Sequence, residues 1–410
     1  MMKKTELLAP AGDMETLKTA LRFGADAVYI GGPFMQLRAQ TSGFGIEEIV
    51  RAAEYTHSLS KKLYVTVNSF AKNREIEPLK SYAKELYGAN VDGVIVSDIG
   101  ALSAVRKAAP DLPVHISTQA NCQNYASALV YYEMGARRVV TGREMTLSEI
   151  CEMKQKLPFD MEIECFVHGA MCMSYSGRCF LSPYLSHRSG NRGECTQPCR
   201  WSYHLVEEKR PGEFFPVLEE EDGTYILNAK DLCMIEYLDQ LVEAGVSSFK
   251  IEGRAKSFYY VATITNAYRC AVDLLKKDPA HYRLPGWLLE ETKKVSHRQY
   301  CTGFYFGRPE NGQYYESGGY IRDYDVAAVV QGWSDNMLFC TQRNRFFPGD
   351  ILEVLSPGLP PENLTVSAIF DEKGQSLDAA RHPMQLLRIP CEKMIAKGTI
   401  LRRQQKGRTT

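Results

Sequence analysis

Four stretches of this chain repeat one local plan: "ALRFGADAVYIGG" (20–32), "ELYGANVDGVIVSD" (85–98), "YYEMGARRVVTGRE" (131–144) and "LVEAGVSSFKIEGR" (241–254). In each, a helical segment runs to a glycine suited to the left-handed position after a helix (Gly24, Gly88, Gly135, Gly245), and a short run rich in Val and Ile follows. Helix, glycine stop and buried strand together make a βα unit. Further apolar runs supply strands at "ELLAP" (6–10), "LYVTVN" (63–68), "PVHIST" (113–118), "IECFVHG" (163–169) and "YILN" (225–228). They are continuous rather than alternating, as strands of a parallel sheet covered on both faces are. The pattern predicts a TIM-type (β/α)8 barrel, with nine candidate strands for eight places, so that one lies outside the barrel. A doubly wound open sheet is the alternative.

Residues 170–224 break the rhythm with four cysteines, several Gly and Ser, and the charged "PVLEEEDGTY", which reads as a cysteine-rich loop insertion at one βα junction. The barrel is expected over 1–276, closing with a helix at 258–276. An irregular, aromatic connecting segment follows at 277–324 ("RQYCTGFYFG", "GQYYESGGY"). From Tyr324 the texture turns to short strands such as "VAAVVQGW", "FFPGDILEVL" and "LTVSAIF", which predicts a small C-terminal β-barrel domain over 325–410, ending in a basic tail.

Hydrophobic residues make up 44% of the 410 and charged ones 24%, an ordinary globular balance. Lys+Arg and Asp+Glu are equal at 49 each, so net charge gives no argument for DNA or an acidic membrane surface as partner. The apolar run after the first lysines is interrupted by Glu6, Pro10 and Asp13, unlike a signal peptide, and no later run is long enough to span a membrane. These features predict a cytoplasmic protein, whose twelve cysteines are then thiols or metal ligands rather than disulfides.

In a TIM barrel the chemistry sits where strands end and βα loops begin. Collecting those positions gives Gly31, Gly32, Asn68, Ser97, Asp98, Ser117, Gln119, Arg143, Glu144, His168, Asn228, Lys230, Glu252 and Arg254. A ring of this composition suits an anionic small molecule, with Arg and Lys on its carboxylates and a Glu handling protons; equally, its members could pair with one another as a structural ion network. In the insertion, Cys172 and Cys179 have six residues between them, Cys195 and Cys199 three, and Cys233 lies one βα unit on. Four thiolates on loops at one end of a barrel could hold a zinc or an iron–sulfur cluster, and the absence of tight CxxC pairs favours the cluster. The rival is a Cys172 nucleophile with His168 four residues before it and Arg178 to lower its pKa. Cys122, Cys151, Cys165, Cys270, Cys301, Cys340 and Cys391 read as small buried hydrophobes.

"ECFVHGAMCMSYSGRCFLS" (164–182) resembles the signature of the collagenase-like peptidase family U32 along its whole length, and "GECTQPCRW" (193–201), "YILNAKDLC" (225–233), "SFKIEGRAKSFYYVA" (248–262) and "SHRQYCTGFYFG" (296–307) resemble further blocks of it. The segment from about 325 is similar to the family's C-terminal β-barrel domain. "KIEGRAKSFYY" and the full-length architecture look most like the branch that hydroxylates tRNA. The resemblance implies a tRNA-modifying enzyme that makes 5-hydroxyuridine at the wobble position, with a 4Fe-4S cluster and with prephenate, a dicarboxylate, as co-substrate. It implies Cys172, Cys179, Cys195 and Cys233 as cluster ligands, Cys199 competing for one place. Arg143, Lys230, Lys250 and Arg254 would then anchor carboxylates, Asn68 and Gln119 would line the substrate site, and Glu144, Glu164, Glu252 and His168 would serve the chemistry. tRNA is the implied partner, with a second protein of the same family as a further one. The alternatives are a collagenase-type peptidase with a Cys nucleophile, hydroxylation of another RNA, and a non-enzymatic RNA-binding subunit.

Overall fold

The computed structural model describes residues 5–37, 43–171, 181–188, 193–198, 230–307 and 320–405, with four two-residue strand pieces between 205 and 224. Seven parallel strands lead off: β1 (Glu6–Pro10), β2 (Ala27–Gly31), β3 (Lys62–Val67), β4 (Gly93–Val96), β5 (Val114–Ile116), β6 (Ala136–Val140) and β7 (Glu162–Ala170). After β8 (Asp231–Cys233), β9 (Ser248–Ile251) closes the barrel by pairing with β7 at Ser248↔Glu164 and with β1 at Glu6↔Ser248. The eight places are therefore filled by β1–β7 and β9, as a TIM-type barrel requires. "YILN" (225–228) lies outside the described residues. Strand β8 runs antiparallel to the end of β7, and β10 (Tyr300–Cys301) pairs with β8, so two short strands extend the sheet beside the barrel.

Helices α1 (Met14–Arg22), α2 (Ile46–Ser58), α3 (Ile76–Gly88), α4 (Ile99–Ala108), α5 (Tyr125–Glu133) and α6 (Leu147–Lys156) alternate with the strands, followed by α7 (Leu181–Ser186), α8 (Leu238–Glu243) and α9 (Phe258–Lys277). Gly24, Gly135 and Gly245 take the left-handed conformation after their helices, with φ of +101°, +98° and +89°. Gly88 differs from expectation: α3 runs through it, and Asn90 takes the left-handed position at φ 57°, a role Asn tolerates next best to Gly. Asp98 is a helix cap, its carboxylate accepting the Ala101 N–H at 2.9 Å at the start of α4. Within the segment expected to be irregular, α10 (Gly286–Lys293) and β10 are regular.

Beyond it lies a separate antiparallel half-barrel: β11 (Tyr324–Ser334), β12 (Met337–Gln342), β13 (Ile351–Leu355), β14 (Glu362–Thr365), β15 (Ile369–Phe370), β16 (Ser376–Leu377), β17 (Leu386–Pro390) and β18 (Ile400–Gln404), in the order β14-β13-β18-β11-β12-β17-β15-β16. The β11–β12 hairpin turns on Asp335 and Asn336, both at positive φ, as a two-residue primed turn demands. This sheet has its own apolar core around Phe346, Leu352 and Ile389, while Val326, Leu355 and Ile400 join the core of the barrel. Arg402 of β18 is fully buried at that seam, its guanidinium on Glu291 of α10 at 2.6 Å and on Glu353 of β13 at 2.9 Å. No helix among the described residues is long and apolar enough to cross a membrane.

Candidate functional site

TIM barrels ordinarily fill their interior with Val, Ile and Leu, but this one carries charge. Glu164 on β7 is fully buried, and both its oxygens are engaged: Oε1 accepts from Lys250 Nζ at 2.7 Å, and Oε2 from an Arg138 N–H at 2.9 Å and from Ser248 Oγ at 3.2 Å. Arg138 on β6 also reaches Glu6 at 2.6 Å and Glu162 at 2.6 Å, and the Tyr64 hydroxyl donates to Glu6 at 2.9 Å. Burial alone would raise the Glu164 carboxyl, but Lys250 and Arg138 outweigh it and hold the pKa below its ordinary value. Glu164 is thus a charged member of an interior ion network rather than a free acid at the mouth.

The network's last cation, Lys250, lies with its ammonium 4.5 Å from the Tyr29 ring and 5.6 Å from that of Phe166. Three further residues of the expected ring, Arg143, Glu252 and Arg254, lie past the strand ends, and the first two meet. Arg143 stacks 4.0 Å over Phe166, donates to the Ala170 carbonyl at 2.6 Å and pairs with Glu252 at 3.4 Å. Arg254 is buried and donates to Thr66 Oγ1 at 2.5 Å. Two glycines shape its berth, since a Cβ on Gly31 would lie 2.6 Å from its guanidinium and one on Gly12 would lie 2.6 Å from its carbonyl oxygen. Glu144 receives the Gln123 amide at 3.3 Å on the loop after β6. Asn68 and Gln119 each bury a side-chain oxygen, and neither oxygen has a hydrogen-bond partner in the structure's described residues. Such acceptors are costly to leave unmet and mark places where a ligand can donate. Ser97 and Ser117 have local duties, Ser97 donating to the Asn68 carbonyl and Ser117 capping a turn at Gln119.

His168 is not at the pocket rim. The β7–β9 register slips between Phe166↔Lys250 and His168↔Ile251, and this bulge turns His168 away from the face that carries Glu164 and Phe166. Its ring is 1% exposed and packs among Tyr260, Tyr268 and Tyr300, with Nδ1 3.4 Å from the Tyr268 hydroxyl and Nε2 3.4 Å from that of Tyr300. Burial, helped by His297 and Lys256, pushes its pKa down to about 3, so the imidazole is neutral. Lys230 precedes β8, outside the closed ring of strands, where its charge acts on the Cys301 thiol. Asn228 lies outside the described residues.

Of the expected cluster ligands, Cys172 and Cys179 lie outside the described residues, as does Cys199. Cys233 on β8 pairs with His168 and is buried beside Tyr268; burial pushes its thiol pKa up to about 11, against hydrogen bonds from Ile235, Tyr268 and Thr292 that pull it down. Cys195 is half-buried and its sulfur accepts the Gln197 N–H at 3.3 Å. The Cys233 sulfur likewise accepts the N–H two residues on, from Ile235. Backbone N–H groups aimed at sulfur suit a thiolate ligand, so the chemistry of these two donors fits an iron–sulfur cluster. Among the described residues no three His, Cys, Asp or Glu side chains gather as a metal site.

Arg138 and Glu6 are the residues sequence reasoning missed, and the only hint was an arginine inside the apolar run "ARRVV". The buried pair of Arg298 with Asp231, at 2.9 Å, was missed as well; it ties the connecting segment to β8.

The model of peptidase family U32 matches residues 12–314, and that of the family's C-terminal domain matches residues 322–402. The chain belongs to peptidase family U32. This U32 chain is 40% identical over 404 residues to tRNA hydroxylation protein P1 of Bacillus subtilis, covering 98% of itself and 95% of that protein. It is 36% identical to tRNA hydroxylation protein P of Escherichia coli, with 92% of each chain covered. It is also 32% identical to a collagenase of Porphyromonas gingivalis, with 74% of each covered.

Proposed function

We propose that this chain is an RNA-hydroxylating enzyme that acts on tRNA, and that it takes part in the prephenate-dependent conversion of wobble uridine to 5-hydroxyuridine with a 4Fe-4S cluster. The observation that carries the reading is the likeness to tRNA hydroxylation proteins over both the barrel and the C-terminal sheet. The barrel mouth supports it: Arg143, Lys250 and Arg254 would bind and orient the carboxylates of prephenate. The unmet oxygens of Asn68 and Gln119 would accept hydrogen bonds from its hydroxyl or from the base. Glu252 beside Arg143 and Glu144 beside Gln123 would hold or move protons there, while Glu164 serves Lys250 from within. Cys172, Cys179, Cys195 and Cys233 would hold the cluster, which when bound supplies one-electron redox chemistry.

The peptidase reading needs a Cys–His pair, and the neutral, tyrosine-enclosed His168 weighs against it. Mass spectrometry of tRNA nucleosides from a deletion strain tests the proposal: 5-hydroxyuridine and its derivatives should vanish and return with the gene. Complementation with Arg254→Ala should restore little or none. Normal nucleosides in the deletion strain would overturn the reading, and a subunit of the same family co-purifying with the chain would identify a partner.

A further inference from the structure

A buried ion network costs desolvation that apolar side chains would avoid, so a barrel core that keeps one raises the question of its use. The arrangement is directional. Glu162, at the start of β7, is open to solvent on one side, and Arg138 joins it to Glu6 and Glu164. Glu164 then divides its two oxygens, one for each cation, and Lys250 ends the series between the Tyr29 and Phe166 rings, on the side where Arg143 covers Phe166. Each step along this line fixes the next: Arg138 commits one oxygen of Glu164, and the other oxygen fixes the ammonium.

We propose that Arg138 is a positioning residue that, by holding Glu164, sets the direction of the Lys250 ammonium and leaves its charge available to an anionic co-substrate at the barrel mouth. The geometry stands by itself, and the functional half rests on the anchor role given to Lys250 in the proposed reading. Without Arg138, the uncharged Ser248 hydroxyl at 3.2 Å is what still holds Glu164 Oε2 among the described residues, a weaker hold that lets Glu164 turn both oxygens onto Lys250 and neutralise the charge an incoming carboxylate needs. A lysine in its place keeps the charge but is a point donor, unable to span Glu6, Glu162 and Glu164 as the planar fork does.

The test uses the full chain labelled with nitrogen-15 at lysine Nζ. An ammonium buried and tied to a carboxylate exchanges its protons slowly, so wild type should show such a resonance, assigned by its loss in Lys250→Met. In Arg138→Met that resonance should shift or broaden away, and calorimetric binding of prephenate should weaken at least about tenfold, as expected when one charge-assisted contact is weakened. Arg138→Lys should recover part of both, and it carries the test if Arg138→Met does not fold. An unchanged Lys250 resonance in both variants overturns the positioning role, whatever happens to tRNA. A lost resonance with wild-type levels of 5-hydroxyuridine leaves the positioning standing and removes Lys250 from the proposed reading.

Discussion

Two ion networks among the described residues, one at the domain seam and one inside the barrel, are wired differently. At the seam between the domains, Glu291, Glu353, Lys294 and Arg402 form a closed ring in which each carboxylate meets both cations at 2.6–2.9 Å. Inside the barrel the network stays open: Arg138 joins Glu6, Glu162 and Glu164, and among the described residues Lys250 pairs with Glu164 alone. A closed ring pairs each of its charges internally and acts as a lock between α10 and the half-barrel. An open line ends in a cation whose remaining capacity faces the functional end of the barrel.

The largest effect should come from opening the ring. Among the described residues Arg402→Met leaves the buried Glu291 with Lys294 as its one remaining ion-pair partner, and breaking a buried pair on one side costs about 3–5 kcal/mol. Urea unfolding of the full chain should show that loss, with the C-terminal sheet separating in an earlier transition. A loss below about 1 kcal/mol would mean the apolar contacts of Val326, Leu355 and Ile400 hold the seam unaided.

Removing both partners separates the networks by purpose. Glu164→Gln/Lys250→Met deletes a charge pair without orphaning either member, so stability should stay within about 2 kcal/mol of the parent, in either direction. tRNA from a deletion strain carrying this double variant should still lack 5-hydroxyuridine. If modification persists at the parent level, the interior line is structural, like the ring, and the contrast between them disappears.

The barrel was legible because its strands are covered on both faces and read as unbroken apolar runs cut by helix stops, and the change of texture at Tyr324 marked the second sheet. What lay within the barrel was harder to read. Arg137 and Arg138 are adjacent in "ARRVV", yet one is exposed and the other 2% exposed, and nothing local says which; the Glu6 partner of Arg138 is 132 residues away. Glu164 was expected to serve the chemistry, but as a buried carboxylate it is held by cations that lie on two other strands, which its own stretch does not show. His168 was misplaced for a different reason. One bulged residue reverses which face a strand side chain takes, and a bulge set by pairing with a strand more than eighty residues on leaves no mark in sequence. Gly88 shows the same limit at small scale, a glycine in the expected place made unnecessary by Asn90 two residues later.

The smallest difference between the networks should appear in acid. Burial would raise the Glu353 carboxyl, but hydrogen bonding from Lys294 and the charges of Arg402 and Lys294 hold it below the ordinary value of 4.5; Glu164 is held low by Lys250 and Arg138 in the same way. A carboxyl whose folded pKa is depressed contributes stability that is complete above its unfolded pKa and is lost as pH falls through the folded one. Both networks should therefore be at full strength from neutrality down to about pH 5 and weaken below about 4.5, at no more than about 1.4 kcal/mol per pH unit for each proton. They differ in access, since the Glu353 side chain is 22% exposed and that of Glu164 is not exposed at all. Glu353 can take up its proton in the folded chain, so the seam should loosen first. Urea unfolding at pH 5, 4 and 3.5 should then show the earlier transition falling with pH in the parent and falling less steeply in Glu353→Gln. Equal slopes in the two proteins would place the acid-sensitive carboxyl elsewhere and leave the closed ring as indifferent to pH as an apolar seam.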